Sequence, residues 1–389
     1  MEIREAVIVD AVRTPIGKAG GQLSTWHPVD LLGFALNGLV ERTGIDPERI
    51  DDILTGCVTQ VGEQSTNVGR NAAVAAGLPQ TIPATTIDRQ CGSSQQAVHF
   101  AAQGVMAGAY DIAIACGVES MSRIPMASNV RGGTGPFPKS FRDAATLKTQ
   151  FEVSQYLAEQ WDITRTDMDE CALESHRRAA DATDAGHFAT EVLPVPLRDA
   201  DGNPTGQSMT ADEGIRRGGT LEVLANLRPV MAEYPDITAG NASQTSDGAA
   251  AMLIASREVA EQLGLPIRAR FIHCSVAAES ATWVLSAPNP ATRKALARTG
   301  MSIPDIDAFE VNEAFAAVSL MWAREFKPDP ERLNPWGGAI ALGHPLGASG
   351  VRLNTTLLNH LEASGGRYGL HTMCEGGGQA NVTIIERLG

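Results

Sequence analysis

The sequence has no Cys-x-x-Cys pair among its six cysteines, no P-loop, no His-Glu-x-x-His helix and no Gly-x-Ser-x-Gly elbow. The first absence removes a zinc ribbon or dithiol redox motif, and a chain of 389 residues does not need a disulfide framework. The others remove the common signatures of nucleotide hydrolysis, zinc proteolysis and serine hydrolysis. No run approaches the roughly 20 apolar residues of a membrane span. The start, MEIREAVIVDAV, lacks the basic and long apolar stretches of a secretory signal, and Arg387-Leu388-Gly389 matches no peroxisomal or retention tail. A cytoplasmic location and no membrane partner are therefore expected. A formal charge of −14 argues against nucleic acid as a partner, while leaving room for a small anion at a local basic patch.

What is present begins with an internal repeat. Arg42-Thr43-Gly44 followed by Ile50-Asp51 recurs without a gap as Arg298-Thr299-Gly300 followed by Ile306-Asp307, and IAIACGVES around Cys116 parallels YGLHTMCEGG around Cys374 at nearly the same offset. Two matches in the same order favour a duplicated domain. After Cys374 a few glycines lead into the strand-like run NVTIIE, whereas the matching run AAAMLIAS arrives only after a long intervening segment. That segment is too long for a loop in a compact domain. The expected organisation is a first half from 1–120 and 245–269, an inserted domain from 121–244, and a second half from 270–389. Apolar β-type runs alternate with amphipathic helical stretches, which predicts an α/β fold of layered αβα halves. The insertion carries Arg216-Arg217-Gly218-Gly219, either a clamp for a phosphorylated ligand or a solvated surface.

Four side chains stand out chemically. Cys91 lies where the strand-like ATTID gives way to the helical CGSSQQAVHFAAQ. A helix start favours an anion, so a lowered thiol pKa and a ready oxyanion site are expected there, against the alternative of an inert buried cysteine. His344 sits in GHPLGASG, where small residues let a substrate approach the imidazole; it is either a base or a structural turn histidine. Cys374 ends a strand before Glu375 and three glycines, and is either an acid/base thiol or a core cysteine. Asn312 follows the strand-like IDAFEV and either caps a helix or orients a water beside a reacting carbonyl.

Taken together, RTPIGK, CGSSQQA, TAGNASQTSDGAAA, NEAFA, GGAIALGHPLGASG and MCEGGG resemble the thiolase family, from Val7 to near the C-terminus. The resemblance implies a duplicated αβαβα layered fold with an inserted loop domain. It also implies an acetyl-CoA C-acyltransferase of the degradative type, working by a ping-pong mechanism through an acyl-Cys91 intermediate. Such an enzyme cleaves a 3-ketoacyl-CoA with free CoA, or runs the reverse Claisen condensation. By the same resemblance His344 activates Cys91, Cys374 handles the α-proton, and Asn312 with His344 forms one oxyanion hole. The amides of Cys91 and Gly376 would form the other, and Arg216 and Ser243 would contact CoA. CoA enters as co-substrate with no tightly bound cofactor and no metal, and a homodimer or homotetramer is implied. Three departures stand out: Ser94 where relatives have Gly, Gln379-Ala380 in place of Met-Gly, and Thr149-Gln150-Phe151 at the border of the acyl pocket. The segment RQCGSSQQA is similar to degradative members that handle bulky steroid-derived acyl groups. A ketoacyl synthase-like condensing enzyme, a silent acyl-CoA-binding protein and a cysteine hydrolase are the rival readings.

Overall fold

The computed structural model describes residues 4–131, 135–199 and 201–389. The first run of elements is β1 (Ala6–Arg13), β2 (Gly17–Lys18), α1 (Pro28–Thr43), β3 (Asp52–Gly56), α2 (Val68–Ala75), β4 (Ala84–Ile87), α3 (Ser93–Met106) and β5 (Ile112–Ser120). An intervening segment holds α4 (Lys139–Ala144), α5 (Gln150–Gln160), α6 (Arg165–Asp184), the hairpin β6 (Val195–Arg198) and β7 (Pro204–Met209), and α7 (Leu221–Ala225). The chain then returns through β8 (Ser246–Ser256), α8 (Arg257–Leu263), β9 (Ala269–Ala278) and α9 (Pro288–Thr299). It closes with β10 (Ala308–Val311), α10 (Ala316–Phe326), α11 (Ala339–Leu342), α12 (Ser349–Ser364), β11 (Tyr368–Glu375) and β12 (Gln379–Arg387).

The strands run in the order β10-β11-β12-β9-β1-β8-β5-β3-β4, with β2 beside β8. The order β9-β12-β11-β10 repeats β1-β8-β5-β3, and the senses repeat with it. In each copy the first two pairings are antiparallel and the third is parallel. The two copies meet at a seam of only Val7↔Arg270 and Ile8↔Ala269. The duplication read from the sequence is therefore a duplication of topology. Its most visible letters, Arg42-Thr43-Gly44 and Arg298-Thr299-Gly300, end α1 and α9. Each glycine takes a left-handed cap conformation, at φ 65° and 70°, that other residues adopt at a cost.

Layering follows from period-2 alternation on strands buried on both faces. In β1, Val7, Val9 and Val12 face the cluster built on α1 and α2, while Ala6, Ile8 and Ala11 face the cluster that contains α3 and α12. On the other copy, Leu370, Val382 and Ile384 pack with Trp322 and Ala291 of α10 and α9, whereas Ile385 faces the central helices. The result is helix, sheet, helix, sheet, helix, with α3 and α12 in the middle.

The intervening segment docks on both copies. Phe151 of α5 meets Phe315 edge-on, with ring centroids 5.7 Å apart. On the other side Arg13, the last residue of β1, is buried against two carboxylates of the segment. Its Nε donates to Glu191 at 2.6 Å, and its Nη1 and Nη2 donate to Asp212 at 2.7 and 2.9 Å. Removing one partner of such a cluster strands the others without solvent. Arg13→Ala is expected to destabilise the fold by about 3–5 kcal/mol, measured by urea unfolding. A loss near that of an exposed pair, below about 1 kcal/mol, would contradict the docking role.

Candidate active site

The turn that carries Cys91, the candidate nucleophile, links β4 to α3. Asp88 accepts from the Gln90 N–H at 2.7 Å, Ser93 Oγ donates to the Gln90 carbonyl at 2.6 Å, and Gln90 itself takes a positive φ of 49°. This tight coil sets Cys91 two residues before the first residue of α3, with Gly92 at the cap position. The expected lowering of the thiol pKa is not met. Burial is the larger effect, followed by the nearby Glu375 carboxyl, and together they push the Cys91 thiol up to about 12. The helix start acts locally, but loss of solvent acts on the whole group, so Cys91 rests as a thiol and needs a base.

The candidate base, His344, is held in the loop before α12. The His344 N–H donates to Ser246 Oγ at 3.1 Å, the Gly347 N–H to Glu119 at 2.9 Å, and Ser349 Oγ to the Pro345 carbonyl at 2.9 Å. Gly343 takes φ 106°, and a Cβ there would lie 2.5 Å from Ser246 Oγ, so the approach to the imidazole requires glycine. Ser349 Oγ lies 2.6 Å from His344 Nδ1. With the Ser349 hydroxyl placed to donate to Pro345 and an amide donor, Asn312 Nδ2, facing Nε2, we assign the ring proton to Nδ1, with the serine oxygen accepting it. Nε2 is then a bare lone pair. Asn312 Nδ2 reaches it at 3.4 Å, and Asn312 Oδ1 is buried without a partner. Asn312 does not cap a helix: α10 begins at Ala316 with Phe315 at its cap position.

The second thiol arrives on the hairpin between β11 and β12. Cys374 pairs with Ala380, and Gly377 and Gly378 turn the chain at φ 79° and 77°. Burial first, then Cys91, then Glu375, raise Cys374 well above the usual thiol range, so it too rests protonated. Burial holds His344 down at about 3, with Arg352 adding to the effect, so its imidazole is neutral. Two protonated thiols and a neutral imidazole with a free nitrogen make a set able to pass protons and form a thioester.

One cavity of about 120 Å³ is lined by Cys91, His344, Cys374, Ser243 and Gly376, with Phe151, Leu285 and Phe315 on its apolar wall. Gln150 and Phe151 line it as well, where the sequence places the border of the acyl pocket. Arg216 is not among its lining residues; it borders another cavity with Arg217 and His176. The segment around it is nonetheless tied to the rim, since Gln244 Nε2 donates to the Gly214 carbonyl at 3.0 Å. A larger space between α6 and α10 contains Cys171 but no histidine, and the Arg216 cavity contains His176 but no cysteine. Sequence reasoning missed Ser349, which acts on His344 only five residues away, and also Gln244 and Glu119, which act through contacts between distant segments. Among the described residues, no group of three or more His, Cys, Asp or Glu is arranged to hold a metal ion.

Residues 6–258 match the family model described as "Thiolase, N-terminal domain", and residues 265–387 match "Thiolase, C-terminal domain". The chain is 48% identical to a steroid 3-ketoacyl-CoA thiolase of Mycobacterium tuberculosis, over 99% of this chain and 94% of that protein. It is 44% identical to a 3-ketoacyl-CoA thiolase of Aliivibrio fischeri, over 99% and 100%. Among solved structures it superposes on an acetyl-CoA acetyltransferase of Bacillus anthracis with a TM-score of 0.91, at 34% identity and full coverage of both chains.

The His344 environment sets a pH prediction. A histidine whose pKa is lowered stays neutral as pH falls until that lowered value is reached. Nitrogen NMR of histidine-labelled protein is therefore expected to show His344 neutral, with its proton on Nδ1, throughout the neutral and mildly acidic range. Protonation near the ordinary histidine pKa, or a proton on Nε2 in the free protein, would contradict the geometry.

Proposed function

This chain belongs to the thiolase family and is an acyltransferase, and on that premise we propose that it cleaves 3-ketoacyl-CoA thioesters with free CoA through an acyl-Cys91 intermediate. The observation that carries this reading is the convergence of Cys91, Cys374 and His344 on one cavity, with the imidazole held so that Nε2 is free to accept.

In the first half-reaction Nε2 takes the Cys91 proton and the thiolate attacks the 3-keto carbon. The backbone amides of Cys91 and Gly376 receive the developing oxyanion. As the Cα–Cβ bond breaks, Cys374 protonates the departing enolate and becomes a thiolate. Asn312, through a water, and the now protonated Nε2 hold the enolate's thioester oxygen. In the second half-reaction CoA gives its thiol proton to Cys374 and attacks the acyl group, and Cys91 leaves with the proton from His344. The steps run backwards as a Claisen condensation.

In this reading 121–244 is the CoA-binding insertion, between a half formed by 1–120 with 245–269 and a half formed by 270–389. Ser243 on the cavity and Arg216 beyond its rim are its CoA contacts. CoA comes and goes as a co-substrate, with no tightly bound cofactor. We read the protein as a cytoplasmic homodimer or homotetramer of lipid degradation. The similarity to a steroid thiolase supports a bulky acyl group, and Gln150 and Phe151 are the side chains that would meet it.

Initial rates of cleavage on a panel from acetoacetyl-CoA to polycyclic 3-ketoacyl-CoAs test the reading. Cleavage is expected to require free CoA and to fall by about a thousandfold or more in Cys91→Ser, as for other covalent nucleophiles. Cleavage independent of free CoA would make the protein a hydrolase. CoA binding without turnover of any substrate would make it a binding protein.

A further inference from the structure

Glu375 is a group in this cavity that the chemistry above does not use. It follows Cys374 at the end of β11, is 1% exposed, and lines the cavity with Cys91, His344 and Cys374. Its Oε1 packs on the nucleophile turn: a Cβ on Gly92 would lie 1.8 Å from that oxygen. With the Asn381 amide turned to face the carboxyl, Oε1 accepts from Asn381 at 2.9 Å, and the amide oxygen accepts from the Gln96 N–H at 3.2 Å. The carboxyl thus orients Asn381, whose amide ties the hairpin that carries Gly376 to the first turn of α3, and it packs against Gly92 next to Cys91. Its Oε2 has no hydrogen-bond partner, and among the described residues it joins no ion pair.

A buried carboxylate in that position would be uncompensated. Arg89 and Asp88 in the turn before Cys91, Glu119 on β5, His344 in its loop, and the two thiols are the titratable or charged groups around it. Among the described residues, Arg89 is the cation that draws it toward ionisation; its Nη1 donates to Gln379 at 2.8 Å, its Nε has no partner, and it makes no hydrogen bond or ion pair with the carboxyl. Neighbouring β12 offers only the neutral Asn381 and Gln379. Burial accordingly holds the carboxyl well above the usual range. Once ionised, it would set a negative charge beside two thiols and the amides of Cys91 and Gly376.

We propose that Glu375 is a positioning residue that works as the neutral acid: protonated, it holds Asn381 in its bond to the start of α3 and packs on the nucleophile turn, and ionised, it opposes the Cys91 thiolate and the oxyanion. This deepens the thiolase reading and rests on it for the oxyanion alone.

The test measures iodoacetamide alkylation of Cys91 against pH, located by peptide mass, in wild type, Glu375→Gln and Glu375→Leu. This readout needs no turnover, so it stands apart from whether 3-ketoacyl-CoA is cleaved. Glu375→Gln keeps a neutral hydrogen-bonding side chain and removes the charge, so its alkylation curve should move to lower pH by about one unit or more. Its kcat should stay within about tenfold of wild type with the alkaline limb shifted, whereas Glu375→Leu, which cannot hold Asn381, should lose more than that. Superimposable wild-type and Glu375→Gln curves would overturn the proposal, as would a folded Glu375→Gln as inactive as Glu375→Leu. Should neither variant fold, the Cys91 alkylation curve of Cys374→Ser, which removes the other coupled thiol, decides: two inflections support coupling of the carboxyl to Cys91, and a single inflection overturns it.

Discussion

The site depends on how closely the starts of two central helices approach each other. A Cβ on Gly350 would lie 2.1 Å from the Gln95 backbone nitrogen, and the Val351 N–H donates to Ser94 Oγ at 3.1 Å. That contact locks the first turn of α12 against the first turn of α3. Cys91 immediately precedes one of these turns and the His344 loop immediately precedes the other. Because α3 and α12 occupy equivalent places in the two topological copies, duplication itself brings Cys91 and His344 together. The third member, Cys374, comes from β11, the strand equivalent to β5.

Low solvent access then decides the protonation states. Burial acts in one direction on the thiols and in the other on the imidazole, so the free protein rests as two thiols and a neutral base. In that state Cys91, Cys374 and His344 all stand uncharged. Glu375 fits the same logic, as a carboxyl kept in a place where ionisation is disfavoured.

Local chemistry made part of this visible in the sequence. The αβα layering was legible because buried strands read as continuous apolar runs, and the duplication because both copies end a helix on Arg-Thr-Gly. Cys91, His344 and Cys374 stood out because each lies among small residues at a change of periodicity. Other features depended on contacts that the letters do not show, one within a single loop and others between distant segments. Ser349 reads as one more small residue until its hydroxyl is seen to fix the imidazole, and Ser94, a departure from relatives, turns out to receive the Val351 amide. The pKa of Cys91 was misjudged because a helix start is visible in the sequence and desolvation is not. Glu375 has no pattern around it, and its meaning comes from Asn381 and Gly92, which only the hairpin brings near.

Intact-protein mass spectrometry after mixing with a 3-ketoacyl-CoA, with no free CoA added, tests the account most directly. A mass increase equal to the shortened acyl group is expected, mapped to the peptide containing Cys91 and discharged on adding CoA. An adduct on Cys374, or turnover with no acyl-enzyme at Cys91, would contradict it.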